Sequence, residues 1–139
     1  MSPLPTNRKL IYTDIIPIRW GDMDAAGHVN NTIYFRYMEQ ARIAWLGSIG
    51  LLRTTEGHGA TVINANCTFM IALVYPGNVE LRLYAGEVGR SSFEIYAEMR
   101  PSYDPKVIYA EGNVKLVWVD YEKNKSRPLP EKIRTIITM

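Results

Sequence analysis

The sequence predicts an α+β protein, an antiparallel sheet of about five strands with one long helix lying across it. Three observations carry this. Between Tyr34 and Trp45 apolar residues recur at three- and four-residue spacing, which marks one amphipathic helix. After that helix the apolar period changes to two and holds through four consecutive segments. Tight-turn sequences, Tyr75-Pro76-Gly77-Asn78 foremost, separate those segments at hairpin distances, so that neighbours run antiparallel. A chain of 139 residues, 47% apolar and 22% charged, is expected to form one domain over residues 1–139, with a real hydrophobic core.

In order, Met1 to Arg8 has two prolines and little apolar content and reads as a loose leader. Lys9 to Trp20 is β-branched and extended. Pro17 within it cannot donate to a ladder, which suggests an edge position or a bulge. A loop follows, and then the helix, with Asn30 or Asn31 as N-cap and an end near Gly47 or Gly50. Leu51 to Gly59 is a connection. Between Thr61 and Ile71, the residues Ile63, Ala65, Cys67, Phe69 and Ile71 fall on one face, and Val62, Asn64, Asn66, Thr68 and Met70 on the other. Val79, Leu81 and Leu83 alternate with polar residues, and Gly86 to Arg90 turns the chain. Phe93, Ile95, Ala97 and Met99 form the clearest strand, and Pro101 to Pro105 turns again. Val107 to Asp120 reads as a long last strand with Gly112 as a bulge, followed by a polar tail with Pro128 and Pro130. One helix must then cover the inward face of the whole sheet and be largely buried. Val62, Tyr84, Tyr96 and Val117 leave the second face not very polar. Part of that face, or an edge strand, is therefore expected to pair with another subunit.

Composition excludes several classes. The formal charge of +2 comes from dispersed basic residues, so no nucleic-acid surface is indicated. A single cysteine, Cys67, rules out an internal disulfide and fits a reducing, cytoplasmic compartment. The stretch MSPLPTNRK lacks the apolar run of a secretory signal, and no apolar run is long enough to span a bilayer. Two histidines and one cysteine without ligand spacing give no metal site.

The densest local information lies in RWGDMDAAGHVNNTIYFRYMEQARIAW, from Arg19 to Trp45. Asp22 and Asp24 occupy a turn just upstream of a helix start, near free backbone N–H groups and the positive end of the helix dipole. An acid or base beside a ready oxyanion site is what acyl-group chemistry needs. Taken alone, two aspartates in a loop more often do no more than shape the turn.

Order and motif together resemble the hotdog-fold acyl-CoA thioesterases of the 4-hydroxybenzoyl-CoA thioesterase type, from about Ile11 to Pro130. The most specific part is RWGDMDAAGHVNN followed by YFRYMEQAR; VYPGNVELRLYAGEVGRSSFEI resembles the family's middle hairpin, and KLVWVDYEKNKSRPLP its closing strand and tail. The resemblance implies a sheet wrapped around one long central helix and hydrolysis of an acyl- or aroyl-CoA thioester to free acid and coenzyme A. It implies Asp24 as the reactive carboxylate, attacking directly or activating a water, and the Asn31 backbone amide as the group that polarises the carbonyl, close behind Gly27. Coenzyme A enters as part of the substrate, and no other cofactor is implied. GRSS at Gly89 to Ser92 resembles the segment that holds the nucleotide end, with Arg90 as phosphate partner and Ser91 and Ser92 as donors. The family's dimer implies a site between subunits, Thr61 facing the partner's site, and a homodimer or homotetramer.

Other side chains carry weaker claims. Asp22 is better placed to fix the turn or pair with Arg19 than to react, and His28, a substrate-binding candidate, to orient the loop by hydrogen bonding rather than to carry a proton. Glu39 can pair with Arg36 or Arg42 at helical spacing, and His58 lies in a Gly-flanked stretch. Cys67 falls among inward residues as a small hydrophobe. Two rival functions remain in the same frame. A hotdog hydratase would carry Asp-x-Asn-Pro-x-His, which is absent: Asp22 and Asp24 precede His28 by six and four residues. A non-catalytic acyl-CoA or acyl-carrier binding module would need no carboxylate at Asp24.

Overall fold

The computed structural model describes residues 8–52 and 56–138. The expected leader therefore lies outside the described residues up to residue 7, as do residues 53–55 of the connection after the helix. The elements run β1 (Leu10–Ile18), a 3-10 turn (Trp20–Asp22), α1 (Asn31–Ser48), β2 (His58–Phe69), β3 (Gly77–Val88), β4 (Ser92–Pro101), β5 (Ala110–Asp120), β6 (Lys125–Ser126) and α2 (Glu131–Thr138). The strands form one antiparallel sheet of six, in the order β1-β3-β4-β5-β2, with the two-residue β6 pairing to β5. Among the described residues no helix is long and apolar enough to cross a membrane.

The apolar stripe read from the sequence is the buried face of α1: Tyr34, Tyr37, Met38, Ala41 and Trp45 are buried, joined by Leu46, while Ala44 is half-covered. They pack on the alternating inward residues Val79, Leu81, Leu83, Phe93, Ile95, Ala97 and Met99 in one continuous core. Trp45 lies against Phe93 with ring centroids 6.3 Å apart. The helix leaves through Ile49 and Gly50, whose φ of +77° is the left-handed turn that glycine takes most readily.

Several expectations are corrected. About five strands become six. The polar tail contains a second helix, because Ile133 and Ile137 at four-residue spacing are buried on one face of α2 beside Leu129. The connection after α1 ends earlier, since β2 already begins at His58. The bulge is not at Gly112, whose register opposite Cys67 and Ala97 is unbroken. Gly112 is glycine because a Cβ there would collide with Met38 Sδ and lie 3.2 Å from the Asn66 carbonyl. The bulge falls instead in β2 between Val62 and Asn64, leaving Ile63 55% exposed. The extra residue reverses the facing upstream of it: Val62 sits opposite buried Leu116 and turns toward α1, with Ala65, Cys67 and Phe69 following in phase.

The outer face is also more polar than expected. Glu98, 2% exposed, accepts from Tyr84 and Arg100 (both 3.1 Å) and from Arg8, whose guanidinium lies over the Tyr84 ring. Glu94 accepts from Asn113 at 2.9 Å. The β2 edge leaves apolar side chains uncovered, with Val62, Ile63 and Phe69 at 43%, 55% and 44% exposure. A groove of about 350 Å³ runs beside it between Phe35, Met38 and Arg42 of α1 and Val62 and Ala65 of β2. The opposite edge, β1, carries Pro17, so the unpaired ladder of β2 is the better template for another strand.

Gly112→Ala should lower stability by about 1–3 kcal/mol through overpacking against Met38. In a Met38→Ala background the same substitution should cost less, read as the shift in urea midpoint. Equal losses in both backgrounds would show that the helix does not press on Gly112.

Candidate functional site

The loop from Arg19 to Asn30 is shaped by its own backbone and by Asp22. The 3-10 turn closes through Asp22 N–H to the Arg19 carbonyl (2.9 Å), and Asp22 Oδ2 accepts the Arg19 N–H in return (2.9 Å). The same oxygen accepts the Tyr37 hydroxyl of α1 at 2.7 Å, while the Asp22 carbonyl takes the Asn30 N–H at 2.9 Å. Burial and this bond to a carboxylate push the Tyr37 phenol well above its ordinary range, so it stays a donor. Asp22 thus ties strand end, loop and helix together, as expected for the turn-forming acid; its partner at Arg19 is the backbone.

Beyond Asp22 the chain makes a short bridge between Met23 and Val29 and turns at Asp24 to Gly27, where φ is +81°. Asp24 N–H donates to the His28 carbonyl (2.9 Å) and Gly27 N–H to the Asp24 carbonyl (3.0 Å). The Asp24 carboxylate is exposed. Its Oδ1 accepts the Ala26 N–H at 2.9 Å, and its Oδ2 accepts Asn30 Nδ2 at 3.2 Å. Asn30 is the N-cap of α1: its Oδ1 accepts the Thr32 N–H at 3.0 Å, and its carbonyl accepts the Ile33 N–H at 2.9 Å. Asn31 is the first helical residue, so its N–H is one of the donors that the helix itself cannot satisfy.

Asp24, His28 and Asn31 border one cavity of about 370 Å³, whose remaining wall is Val29, Tyr34, Phe69, Met70, Ile71 and Ala72. Tyr34 braces that wall: its hydroxyl accepts the Leu73 N–H at 3.0 Å, and its ring meets Phe69 edge-on at 4.8 Å. The arrangement sets an exposed carboxylate and a helix N-terminus at the polar end of a partly apolar cleft. Such a cleft can hold an apolar group by its carbonyl end, with a base or nucleophile alongside.

The other candidates lie elsewhere in the chain. Thr61 sits eight residues along β2 from Phe69, about 26 Å at strand rise. Gly89, Arg90, Ser91 and Ser92 form the turn at the far end of β3 from Gly77, which pairs with Ile18 just before the aspartate loop. That is about 35 Å away along the strand. Within that turn Arg90 is exposed and donates to Ser91 Oγ at 3.1 Å. Its carbonyl accepts the Leu129 N–H (3.0 Å) and Arg134 Nη2 of α2 (3.2 Å). Ser92 lies with Glu87, Glu94 and Lys115 around a separate small pocket.

The lesser candidates resolve simply. Glu39 pairs with Arg36 at 2.9 Å. His58 begins β2 rather than a loop, and its Nε2 lies 2.6 Å from Arg127 Nη1. Burial pushes the Cys67 thiol up to about 12, which leaves it inert near neutral pH. The contributions of Asn30 to Asp24 and of Phe69 to Ala72 to the cavity wall were not read from the sequence. The Asn30-Asn31 doublet was legible as a cap; the wall depends on register.

A family model described as the thioesterase-like superfamily matches residues 18–137. Among solved structures, a candidate thioesterase of Pseudomonas aeruginosa is 42% identical, with 94% of this chain and 100% of its own covered and a TM-score of 0.89. A candidate acyl-CoA thioesterase of Xanthomonas campestris is 36% identical, with 81% and 95% covered and a TM-score of 0.73. The uncharacterised YsmA of Bacillus subtilis is 26% identical over 119 residues, covering 78% of this chain and 80% of its own.

Asp22→Ala would leave the Tyr37 hydroxyl and the Arg19 N–H without their acceptor. It should lower stability by about 2–4 kcal/mol. Urea unfolding checks this, and a loss under 0.5 kcal/mol on the same scale would show that the loop does not hang on this carboxylate.

Proposed function

The chain belongs to the thioesterase-like superfamily, and from that premise we propose that it hydrolyses the thioester of an acyl- or aroyl-CoA to free acid and coenzyme A. The observation that carries the reading is the exposed Asp24 carboxylate sharing one cavity with the first residue of α1. In this reading the acyl group lies along Phe69 to Ala72, and its carbonyl oxygen meets the Asn31 N–H. Negative charge develops on that oxygen during attack, and a helix end stabilises it without reorganising. Asp24 either adds to the carbonyl carbon, giving a mixed anhydride that water then cleaves, or takes a proton from an attacking water. The thiolate of coenzyme A leaves in either route. Gly27 and His28 rim the site, the only cofactor is the coenzyme carried by the substrate, and α1 serves as the central helix of a single hotdog domain. Coenzyme A chemistry also suits the reducing cytoplasm with which a lone thiol is compatible.

Distance governs where the nucleotide end can bind. From the thiol to the first phosphorus, coenzyme A spans about thirteen bonds, roughly 15 Å at the reach of an extended chain. Arg90 of the same chain, about 35 Å from the aspartate loop along β3, is out of range. A two-fold pairing of β2 with β2 of a second copy removes the discrepancy. With the axis near the bulge at Ile63, Gly59 of one copy comes beside Thr68 of the other. The Thr61 and Arg90 end of one chain then approaches the Asp24 end of its partner. The proposed enzyme is therefore a homodimer, or a tetramer built from that dimer, with Asp24 and Asn31 from one chain and Thr61, Arg90, Ser91 and Ser92 from the other.

Asp24→Asn should fold normally and lose about two or more decades of turnover on acyl-CoA. Retention of wild-type turnover would remove Asp24 as the reactive acid. Arg90→Ala should raise KM for acyl-CoA while leaving kcat and the kinetics on a short acyl-pantetheine unchanged. Equal effects on both substrates would take Arg90 out of the nucleotide site.

A further inference from the structure

The Asp24 carboxylate and the first turn of α1 are joined by one side chain. Asn30 Nδ2 donates to Asp24 Oδ2 at 3.2 Å, while Asn30 Oδ1 accepts from the Thr32 N–H at 3.0 Å and the Thr32 hydroxyl at 2.6 Å. The other carboxylate oxygen is held by the Ala26 N–H at 2.9 Å. Two donors from different parts of the loop therefore set the plane of an exposed carboxylate that could otherwise rotate freely. Only the donor on Asn30 ties that plane to the helix.

We propose that Asn30 is a positioning residue, one that registers the Asp24 carboxylate against the N-terminus of α1 so that both address the same carbonyl group. This rests on the hydrolytic reading above. The choice of residue is chemically specific. Ser, Thr, Asp and Asn all cap helices through a side-chain oxygen, but only Asn also carries N–H donors on the same planar group. A serine would keep the cap and drop the carboxylate; an aspartate would keep the cap and set a second negative charge against the first. His28 and Tyr34, the other titratable side chains bordering the cavity, leave this task to Asn30, since His28 orders the loop through its carbonyl and Tyr34 bonds to Leu73. Losing orientation while keeping the group in place reduces turnover by about ten- to a hundred-fold.

Asn30→Ser separates the two tasks. It should reduce kcat on acyl-CoA by about ten- to a hundred-fold, with KM and the urea midpoint close to wild type. Asn30→Ala should show the same loss of kcat together with a lower midpoint, because the cap is gone as well. In an Asp24→Asn background, Asn30→Ser should not change the residual rate. Wild-type kcat in Asn30→Ser, or the same fractional loss in both backgrounds, would overturn the proposal. A crystal structure of Asn30→Ser reads the same claim without substrate. The Asp24 carboxylate should leave the orientation it holds in the wild type, and an unchanged orientation would overturn the assignment. If the wild-type protein hydrolysed no acyl-CoA, the hydrolytic reading would fall, and the carboxylate orientation would still decide the role of Asn30.

Discussion

The bond from Tyr37 to Asp22, 2.7 Å long and backed by the Arg19 N–H on the same oxygen, holds the rest of the site in place. It reaches from the buried face of α1 to the loop that leaves β1, so the helix cannot shift along the sheet without pulling the loop with it. From that anchor the remaining contacts follow in sequence. The Asp22 carbonyl receives the Asn30 N–H, Asn30 caps α1 and holds Asp24, and the Met23–Val29 bridge closes the turn between them. An acid kept in water but fixed to the end of a packed helix has the rigidity that electrostatic stabilisation requires. The neighbouring acid, two residues earlier, is spent on building the loop.

The second constraint is the geometry of the sheet. β2 is a twelve-residue edge strand whose apolar side chains are only half covered, beside a groove that α1 does not fill. The basic turn after β3 lies at the opposite end of the sheet from the aspartate loop. A single chain therefore holds the two halves of the proposed site too far apart for one coenzyme A to touch both. The proposed antiparallel pairing at the β2 edge would resolve both facts together. It would cover the exposed apolar side chains of β2 and bring unlike ends into contact.

Much of this was legible in the sequence. The α1 stripe, the inward residues of β3 and β4, and the β3-β4-β5 meander follow from apolar period and turn chemistry. The turn at Tyr75 to Asn78 does not make the hairpin its sequence suggests: β2 crosses to pair with β5, and β1 takes the place beside β3. The capping asparagines were legible because capping is local. What was not legible depends on tertiary register. Ile63 looks inward in a perfect alternation, and only the bulge turns Val62 toward the helix instead. Gly112 looks like a bulge residue and is instead the place where Met38 presses on the sheet. In the tail, prolines and charges masked two isoleucines four residues apart, too few to declare a helix by period alone. Arg90 and Asp24 belong to one motif set in the sequence, but a linear reading carries no distance between them.

Subunit complementation tests the shared site most directly. Asp24→Asn and Arg90→Glu chains, each impaired alone at low acyl-CoA, are unfolded together, refolded as a mixture and assayed. Random pairing makes half of the dimers mixed. Each mixed dimer carries one site with both the intact Asp24 of one chain and the intact Arg90 of the other. The shared-site account predicts recovery to about one quarter of wild-type activity. Activity no higher than the average of the two variants alone would place the whole site within one chain and contradict it.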